Sequence, residues 1–494
     1  MKRYRLYIMA GWLMAWVMTL AGCSADALSE ETPDNGTGEA MSSESYINLR
    51  IVNNSQPQTR TTVPATEAEN AIYDGILVFF VGNGETVAKL KSAVVIDQLI
   101  NNPGTTASVD VVQRTPLNLH PYPASGSGKI YVLALLNTTS TGFTVRNNML
   151  YLNSNSLIGY TRSQLQNSVI NSIGSPDRHV GLYMASKPKG TGSTPEQTAI
   201  QIYDPGALNP SKYLYDNPSD ITPSSDKLTL NVERAAAKVK VTNDIGTDVL
   251  TNINLDGNSS RHPKVHTMSW AVNNFNTKSY ALRDGTGETF TPVALAASGH
   301  SGVSDFGVYQ QRAHQSGDAV YIAENTSATE TEVIVEVRLK DESNVLLDNC
   351  YKYELWGTTI FFTDESHVIT YFKQEWTASF HNNFPHIGNK DAEEVFCSTK
   401  IVINSDNSVT VTVSNPSFTG TGEQDDLASL SSILSGTLTG YREGKMYYTY
   451  KIKTETSSDV WENKVLRNNA YNLTLVEDDP ISLPSITGIG RPTP

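Results

Sequence analysis

Two histidines four residues apart, His262 and His266, form the pattern that comes nearest to a metal-ligand motif. In zinc proteases such a pair lies on one helix face, and a Glu follows the first His. Here the stretch reads "HPKVH", and Pro263 would break a helix at that point. We therefore interpret both histidines as surface loop residues and predict no metal site.

Three further motifs resemble reactive sites, and each lacks something that the chemistry requires. "SGSGKI" (125–130) resembles a phosphate loop, but Ile130 stands where a Ser or Thr would bind magnesium, and a strand follows. "GHSG" around Ser301 lacks the spacing of a nucleophile elbow. "NSDNS" (404–408) lacks the Gly and terminal Glu of a calcium loop and is typical of a hairpin turn. Scattered carboxylates leave a glycosidase pair open, but no enzyme signature is present, so we predict no catalysis and no cofactor.

The first cysteine lies at the end of an export signal. Basic residues precede an apolar stretch (6–21) that is too short to be a stable membrane span, so residues 1–22 are predicted to be a signal peptide. "LAGC" (20–23) resembles the lipobox of bacterial lipoproteins, in which the cysteine, here Cys23, is lipidated after cleavage. The alternative is an ordinary cleavage site beside an unrelated Cys. No other apolar segment is long enough to span a membrane, so the mature chain is expected to be soluble or lipid-anchored.

The two remaining cysteines, Cys350 and Cys397, fit either of two states. An exported chain meets an oxidising environment, which permits a disulfide between them. Two buried thiols fit the sequence equally well. Neither cysteine has a His at zinc-finger spacing, so no zinc site is expected.

Composition limits the class of partner and the number of domains. The formal net charge is −14 and charged residues make up 18% of the chain, whereas nucleic-acid-binding proteins carry clustered Lys and Arg. We therefore predict that the chain does not bind nucleic acid. Because 494 residues exceed what one hydrophobic core usually supports, we expect two domains.

Short strand patterns separated by Gly, Pro, Asn and Ser predict an all-β sandwich architecture. The stretch 204–226, rich in Pro, Asp and Ser, is the best candidate for a domain boundary, and "KLTLNVERAAAKVKVT" would begin the second domain. The predicted domains are 61–225 and 226–494. The strand candidates include "GILVFFVG", "SVDVVQ", "GKIYVLALLN", "VGLYMAS", "EVIVEVRLK", "SVTVTVS" and "VLRNNAYNLTLVE".

A further strand pattern lies just after the signal. Residues 24–44 are acidic and small, as in a flexible tether. Ile47, Leu49 and Ile51 then alternate with polar residues in a strand that begins at Tyr46. A polar loop with a single arginine, Arg60, follows it, and such loops are where proteases cut.

Taken together, these stretches resemble the fimbrillins of Bacteroidales, the type V pilins. The resemblance covers nearly the whole chain and is carried by the order of several short motifs. The bland alternative is an unrelated two-sandwich lipoprotein. The motifs are "LAGC", "QTRTT", "EAENAIYDGILVFFVG", "KIYVLALLNTT", "GLYMAS", "VERAAAKVKVT" and "VLRNNAYNLTL".

The resemblance implies two tandem antiparallel β-sandwich domains of Greek-key, transthyretin-like type. It also implies that residues 23–60 form a lipidated propeptide, that an arginine-specific protease cuts after Arg60, and that Thr61 begins the mature pilin. Arg50 is the alternative cleavage site, but it lies within the strand that would be discarded, where backbone pairing would shield it. A strand from the next subunit would fill the vacated groove.

The same resemblance implies the partners and the location. The precursor would be anchored to the outer membrane through its lipid, and the mature chain would join other fimbrial subunits head to tail on the cell surface. A host or bacterial surface receptor or glycan is a further expected partner.

The position within a filament stays open. "DDPISLPSITGIGRPTP" (478–494) contains four prolines, which remove ladder donors, so it is a poor donor strand and a tip or accessory subunit fits as well as a shaft subunit. Two other roles remain: a lipid-anchored glycan-binding protein that uses exposed aromatic side chains, and an anchor subunit that keeps its lipid and its first strand.

Overall fold

The computed structural model describes residues 45–53, 66–97, 99, 108–124, 128–176, 180–187, 199–244, 249–251, 253–283, 314–355, 358–404, 408–457, 460–476 and 485–489. Cys23, Arg60, Thr61 and Ser301 lie outside these residues. All described residues fall in one compact unit, Ser43–Pro494. Strands dominate it, which confirms the predicted all-β class.

The secondary structure consists of many short strands and few helices. The strands of the first half are β1 (Tyr46–Asn53), β2 (Gly75–Gly82), β3 (Lys89–Val95), β4 (Ser108–Arg114), β5 (Lys129–Leu136), β6 (Phe143–Arg146), β7 (Met149–Leu152), β8 (Asn155–Ser156), β9 (Val169–Ile170), β10 (Gly174–Ser175), β11 (Gly181–Leu182), β12 (Met184–Ser186), β13 (Ile200–Tyr203), β14 (Leu214–Tyr215) and β15 (Leu228–Arg234). The later strands are β16 (Ala236–Asn243), β17 (Lys264–Asn273), β18 (Ser279–Tyr280), β19 (His314–Gln315), β20 (Ala319–Ala323), β21 (Glu332–Lys340), β22 (Asn349–Leu355), β23 (Thr358–Phe362), β24 (Ser398–Ile403), β25 (Val409–Ser414), β26 (Leu438–Arg442), β27 (Lys445–Lys451), β28 (Thr454–Ser457), β29 (Val460–Glu462), β30 (Ala470–Val476) and β31 (Ser485–Ile489). The α-helices are α1 (Glu67–Asn70), α2 (Arg162–Gln166), α3 (Glu365–Glu375), α4 (Ala392–Val395) and α5 (Thr421–Gly436).

A nine-stranded sheet organises the first half of the chain. Its main path runs β14-β1-β15-β12-β5-β2-β3, with β13 also paired to β5 and β4 also paired to β1. The strands β2 and β5 are continuous apolar runs, which is the pattern of strands buried on both faces. Accordingly, alternate residues of β2 enter different cores: Val78 packs in one cluster and Phe79 in the other.

The run "KLTLNVERAAAKVKVT" is divided between two sheets. Its first part is β15, which completes the nine-stranded sheet, and after Ala235 its second part is β16, which pairs with β20 and β30. The sheet order there is β20-β16-β30-β31, and a second sheet, β19-β17-β21-β27, packs with it around Trp270 and Val335. Most pairings are antiparallel, but β1 with β15 and β16 with β30 are parallel. The domain boundary near residue 225 stays a prediction.

Residues 341–444 form an insertion between two paired strands. β21 and β27 are antiparallel neighbours, with Arg338 opposite Lys445. Between them lie the sheet β23-β22-β26, the hairpin β24–β25 and the helices α3 to α5 around an aromatic core that includes Phe372 and Trp376. In the part of the chain that the structure describes, no helix is both long and apolar enough to cross a membrane.

Candidate functional site at the first strand

Strand β1 lies inside the nine-stranded sheet, with its backbone paired on both sides. On one side β4 runs antiparallel to it from Tyr46 opposite Arg114 to Val52 opposite Ser108. On the other side β15 runs parallel to it from Leu49 to Asn53, and β14 pairs with its first two residues. An N-terminal strand therefore fills a slot whose two walls come from segments about 60 and 180 residues further along the chain.

The inner face of β1 fills an apolar groove. Ile47, Leu49 and Ile51 are all 0% exposed, as their alternation in the sequence predicts. They pack with side chains from the walls and floor, including Val111, Leu228, Leu230, Leu77, Phe79 and Val132. Full burial of one such side chain is worth about 1.5–3 kcal/mol, so the three together contribute roughly 5–9 kcal/mol to seating the strand.

The outer face of β1 makes polar contacts instead. The buried Asn48 donates from Nδ2 to the carbonyl oxygen of Asp226 at 3.2 Å. Arg50 lies directly opposite Asp110 on β4 and donates to both carboxylate oxygens, from Nε at 2.8 Å and from Nη2 at 3.2 Å. Lys227 donates to Oδ2 of the same carboxylate at 2.6 Å. Hydrogen bonds from Arg50 and then Lys227 lower the pKa of Asp110 to about 2.

The chain is fixed again at helix α1, after the stretch that contains Arg60. The hydroxyl of Thr66 accepts from the backbone N–H of Glu69, and the Glu69 carboxylate accepts from the backbone N–H of Thr66, which is a capping box. Asn53, the last residue of β1, donates to the side chain of Asn70 in α1 at 3.2 Å. The two described ends of the stretch 54–65 are thus both held by specific hydrogen bonds.

Glu69 also joins the first half of the chain to the second. Its buried carboxylate accepts from Lys238 Nζ at 2.6 Å, from Arg234 Nη1 at 3.2 Å and from the hydroxyl of Tyr321. Burial raises the pKa of this carboxyl, but the hydrogen bonds from Lys238 and Tyr321 and the two positive charges outweigh it, so the pKa is lowered. Helix α1 therefore connects the end of β1 to the sheet that contains β16 and β20.

Several residues singled out in the sequence can be placed. Arg50 lies in a strand paired on both sides, whereas Arg60, Thr61 and Cys23 lie outside the described residues. Cys350 is buried and Cys397 is exposed, and these two described cysteines are free thiols. A disulfide between them stays a prediction that the alkylation of the folded chain can test.

The two histidines do not form a site. His262 precedes β17 and lies 2.8 Å through Nδ1 from the carbonyl oxygen of Ile253. His266 is exposed on strand β17, so the expectation that it lies in a loop was wrong. Val265 and Met268 are buried on either side of the exposed residues His266 and Thr267, and a bulge between Val265 and Thr267 keeps the strand paired through this segment. Among the described residues, no group of three or more His, Cys, Asp or Glu side chains could hold a metal ion.

Sequence reasoning did not identify the walls of the groove. Asp110, Lys227 and the carbonyl of Asp226 meet β1 only through sheet pairing between distant segments. The one available signal was Asp110 itself, an acidic residue in the middle of the strand "SVDVVQ". A charge on a strand's outer face often has an opposite charge across from it.

No family model and no curated protein sequence matches the chain. Solved structures similar to it include a fimbrilin of Porphyromonas gingivalis, with 12% identity, a TM-score of 0.40 and coverage of 90% of this chain and 96% of that one. A C-terminally truncated tip fimbrial protein of the same organism shows 8% identity and a TM-score of 0.33, with coverage of 90% and 98%. A fimbrial assembly protein of Parabacteroides distasonis shows 14% identity and a TM-score of 0.29, with coverage of 60% and 84%. These neighbours are proteins of the kind that the sequence resembles. At this identity and score, the comparisons alone assign no role to the chain.

Proposed function

We propose that the chain is a structural and adhesive subunit of a cell-surface fimbria that is assembled by replacement of its first strand. The observation that carries the proposal is the position of β1. It is the first of the described strands, it fills an apolar groove between β4 and β15, and a stretch of sequence with a single arginine follows it.

The precursor is exported as a lipoprotein, with Cys23 as the lipidated residue. An arginine-specific protease then cuts after Arg60, so that the mature chain begins at Thr61 and residues 23–60 are released. Arg50 is the poorer site because a protease binds its substrate as an extended strand, and the backbone of β1 is already paired on both sides.

Loss of β1 leaves the groove in a state that binding of another strand would stabilise. The facing N–H and C=O groups of β4 and β15 lose their partners, and the apolar sites of Ile47, Leu49 and Ile51 empty. A strand from a neighbouring subunit that runs in the same direction as β1 restores both sets of interactions. Repetition of this contact from one subunit to the next is head-to-tail and builds a filament.

The pairing of β31 supports a terminal or accessory position over a shaft position. β31 runs antiparallel to β30, from Ser485 opposite Val476 to Ile489 opposite Asn472. This segment is thus held at the edge of its own sheet. A shaft role requires β31 to leave that edge, whereas a subunit that only accepts a strand keeps it.

The glycan-binding alternative gains little from the described aromatic residues. It needs exposed rings on which a sugar can stack. Trp270 and Trp376 are buried, at 0% and 2% exposure, and Trp461 is half-buried. We therefore retain the fimbrial proposal.

The test is the intact mass and N-terminal sequence of the protein from the native cell surface, compared with two variants. The proposal expects an unlipidated chain that starts at Thr61. Arg60→Ala should accumulate as a membrane-bound precursor that does not assemble, while the matched control Arg50→Ala should be processed and assembled normally. Normal filaments from Arg60→Ala would overturn the cleavage assignment. A native chain that begins at lipidated Cys23 would indicate an anchor subunit or a surface-binding lipoprotein and would overturn the polymerisation scheme.

A further inference from the structure

We infer that the groove selects a donor strand with a cationic side chain at the position of Arg50, and that Asp110 recognises this cation. The inference rests on the proposed function and specifies the partner. The partner segment is an extended strand of a neighbouring subunit with apolar residues at three alternate positions and a Lys or Arg between the second and the third.

Asp110 belongs to the part of the groove that remains when β1 leaves. It lies on β4, directly opposite Arg50, and both of its carboxylate oxygens accept hydrogen bonds from that guanidinium. Release of β1 removes both of these bonds. Oδ2 keeps the hydrogen bond from Lys227, but Oδ1 loses the cationic donor that it has in the described structure.

The chemistry at this position favours a cation over an anion. An incoming Arg or Lys restores the pair across the two strands, whereas an incoming Glu places a second carboxylate opposite Asp110. The side chains of Arg50 and Asp110 are 50% and 42% exposed, so water screens part of the interaction. The attraction between Arg and Asp110 and the repulsion between Glu and Asp110 add up. Together they predict that a strand with Arg binds about tenfold more tightly than the same strand with Glu.

Lys227 should moderate this selection. Its ammonium partly neutralises Asp110 and would also attract an incoming Glu. Replacement of Lys227 by Gln should therefore widen the difference between the Arg and Glu strands. Replacement of Asp110 by Asn should remove the preference for Arg, and the remaining Lys227 should then favour Glu. The two substitutions act in opposite directions, and a purely structural role of either residue does not predict this.

Residues 481–492 of this chain do not meet the requirement in either of two registers. When Ile481 and Leu483 take the sites of Ile47 and Leu49, Pro484 falls opposite Asp110 and offers neither a cation nor a backbone N–H. When Arg491 is placed opposite Asp110 instead, the three apolar sites receive Gly488, Gly490 and Pro492. Residues 481–492 are therefore a poor donor for this groove.

The experiment is a strand-exchange assay on the chain from Ser24 onward, cut after Arg60 with an arginine-specific protease. Three labelled peptides compete for the groove. Two have the β1 sequence, namely the native 45–53 peptide and its Arg50→Glu version, and the third covers residues 479–489. We expect the native peptide to bind about tenfold more tightly than the Glu version and at least about tenfold more tightly than the 479–489 peptide, which lacks one of the large apolar side chains.

The protein variants supply the controls. Asp110→Asn should remove the preference for the Arg peptide or reverse it in favour of the Glu peptide, and Lys227→Gln should separate the two peptides further. Asp204→Asn breaks a different ion pair, the half-buried pair with Lys129 at 2.8 Å, and should leave the ratio unchanged. Equal binding of both peptides to the unaltered chain would overturn the inference and leave strand exchange intact. A failure of every peptide, including the native one, would overturn the proposed function and the inference together. Binding of the 479–489 peptide as tightly as the native one would show that the groove does not require a cation opposite Asp110, and would overturn the inference.

Discussion

Replacement of Leu49 by Ala should loosen β1 far more than the rest of the protein. Leu49 is 0% exposed and lies opposite Val111 on one wall and Leu228 on the other. A buried Leu→Ala change costs about 2–5 kcal/mol, because it removes apolar contact and leaves a cavity. If β1 detaches as a unit, its opening becomes easier by that amount, which corresponds to a roughly 30-fold or larger increase in the open population.

Hydrogen exchange followed by mass spectrometry on the uncleaved chain measures this opening. Exchange should accelerate in peptides that cover β4 (108–114) and β15 (228–234), whose amides face β1, and stay unchanged in β21 (332–340), which lies in another sheet. Val52→Ala is the matched control. Val52 lies on the outer face of the same strand and is only half-buried, so its truncation should change exchange by a few-fold at most.

Two results would refute the reasoning. Equal acceleration by Leu49→Ala and Val52→Ala would mean that the inner face of β1 does not seal the groove. An equal rise in β21 would mean that β1 opens only with the whole molecule, and a strand that cannot leave separately is a poor candidate for replacement.

One further substitution and one chemical modification test other parts of the structure. Glu69→Gln should lower the free energy of unfolding by about 3–5 kcal/mol at pH 7, because it leaves Arg234 and Lys238 without a carboxylate. The folded pKa of Glu69 is lowered from 4.5, so its stabilisation is present above that value and is lost as the pH falls through the lower folded value. The thermal unfolding temperatures of the unaltered chain and Glu69→Gln should therefore converge in acid. A difference between them that stays constant with pH would contradict the assignment. In the folded chain from Ser24 onward, iodoacetamide should modify the exposed Cys397 and spare Cys350, whose pKa burial raises, until denaturant is added; no modification at all would indicate a disulfide.

The positions of many strands and their buried faces could be predicted from the sequence, because buried positions are occupied by apolar residues. Alternation identified the inner face of β1, and the continuous apolar runs identified β2 and β5. The hairpin expected at 404–408 joins β24 to β25, where the backbone N–H of Asn404 donates to the carbonyl of Ser408.

The helices of the insertion were missed although one carried a signal. Leu427, Leu430 and Leu434 in α5 are buried and recur at helical spacing, a pattern that the sequence shows. In α3 the β-branched and aromatic residues around Val368 and Phe372 are also typical of strands, and only the cap at Asp364 distinguishes them.

The pairing of β1 could not be predicted for a different reason. Its partner β15 lies about 180 residues away and runs parallel to it, and no local pattern records which of many similar strands will be neighbours. For the same reason the contacts of Asp110 and Lys227 with the outer face of β1 could be identified only in the structure.

The passage of the chain from β15 through Ala235 into β16 has a mechanical consequence for a filament of the proposed kind. Tension that reaches the groove enters β15 through a row of hydrogen bonds and passes along the backbone into the next sheet without a flexible linker. A donor strand pulled from the Tyr46 end, while β15 is held at Arg234, is loaded in shear, since the parallel strands are drawn in opposite directions. The hydrogen bonds then share the force and must fail together, whereas peeling from one end would break them one at a time.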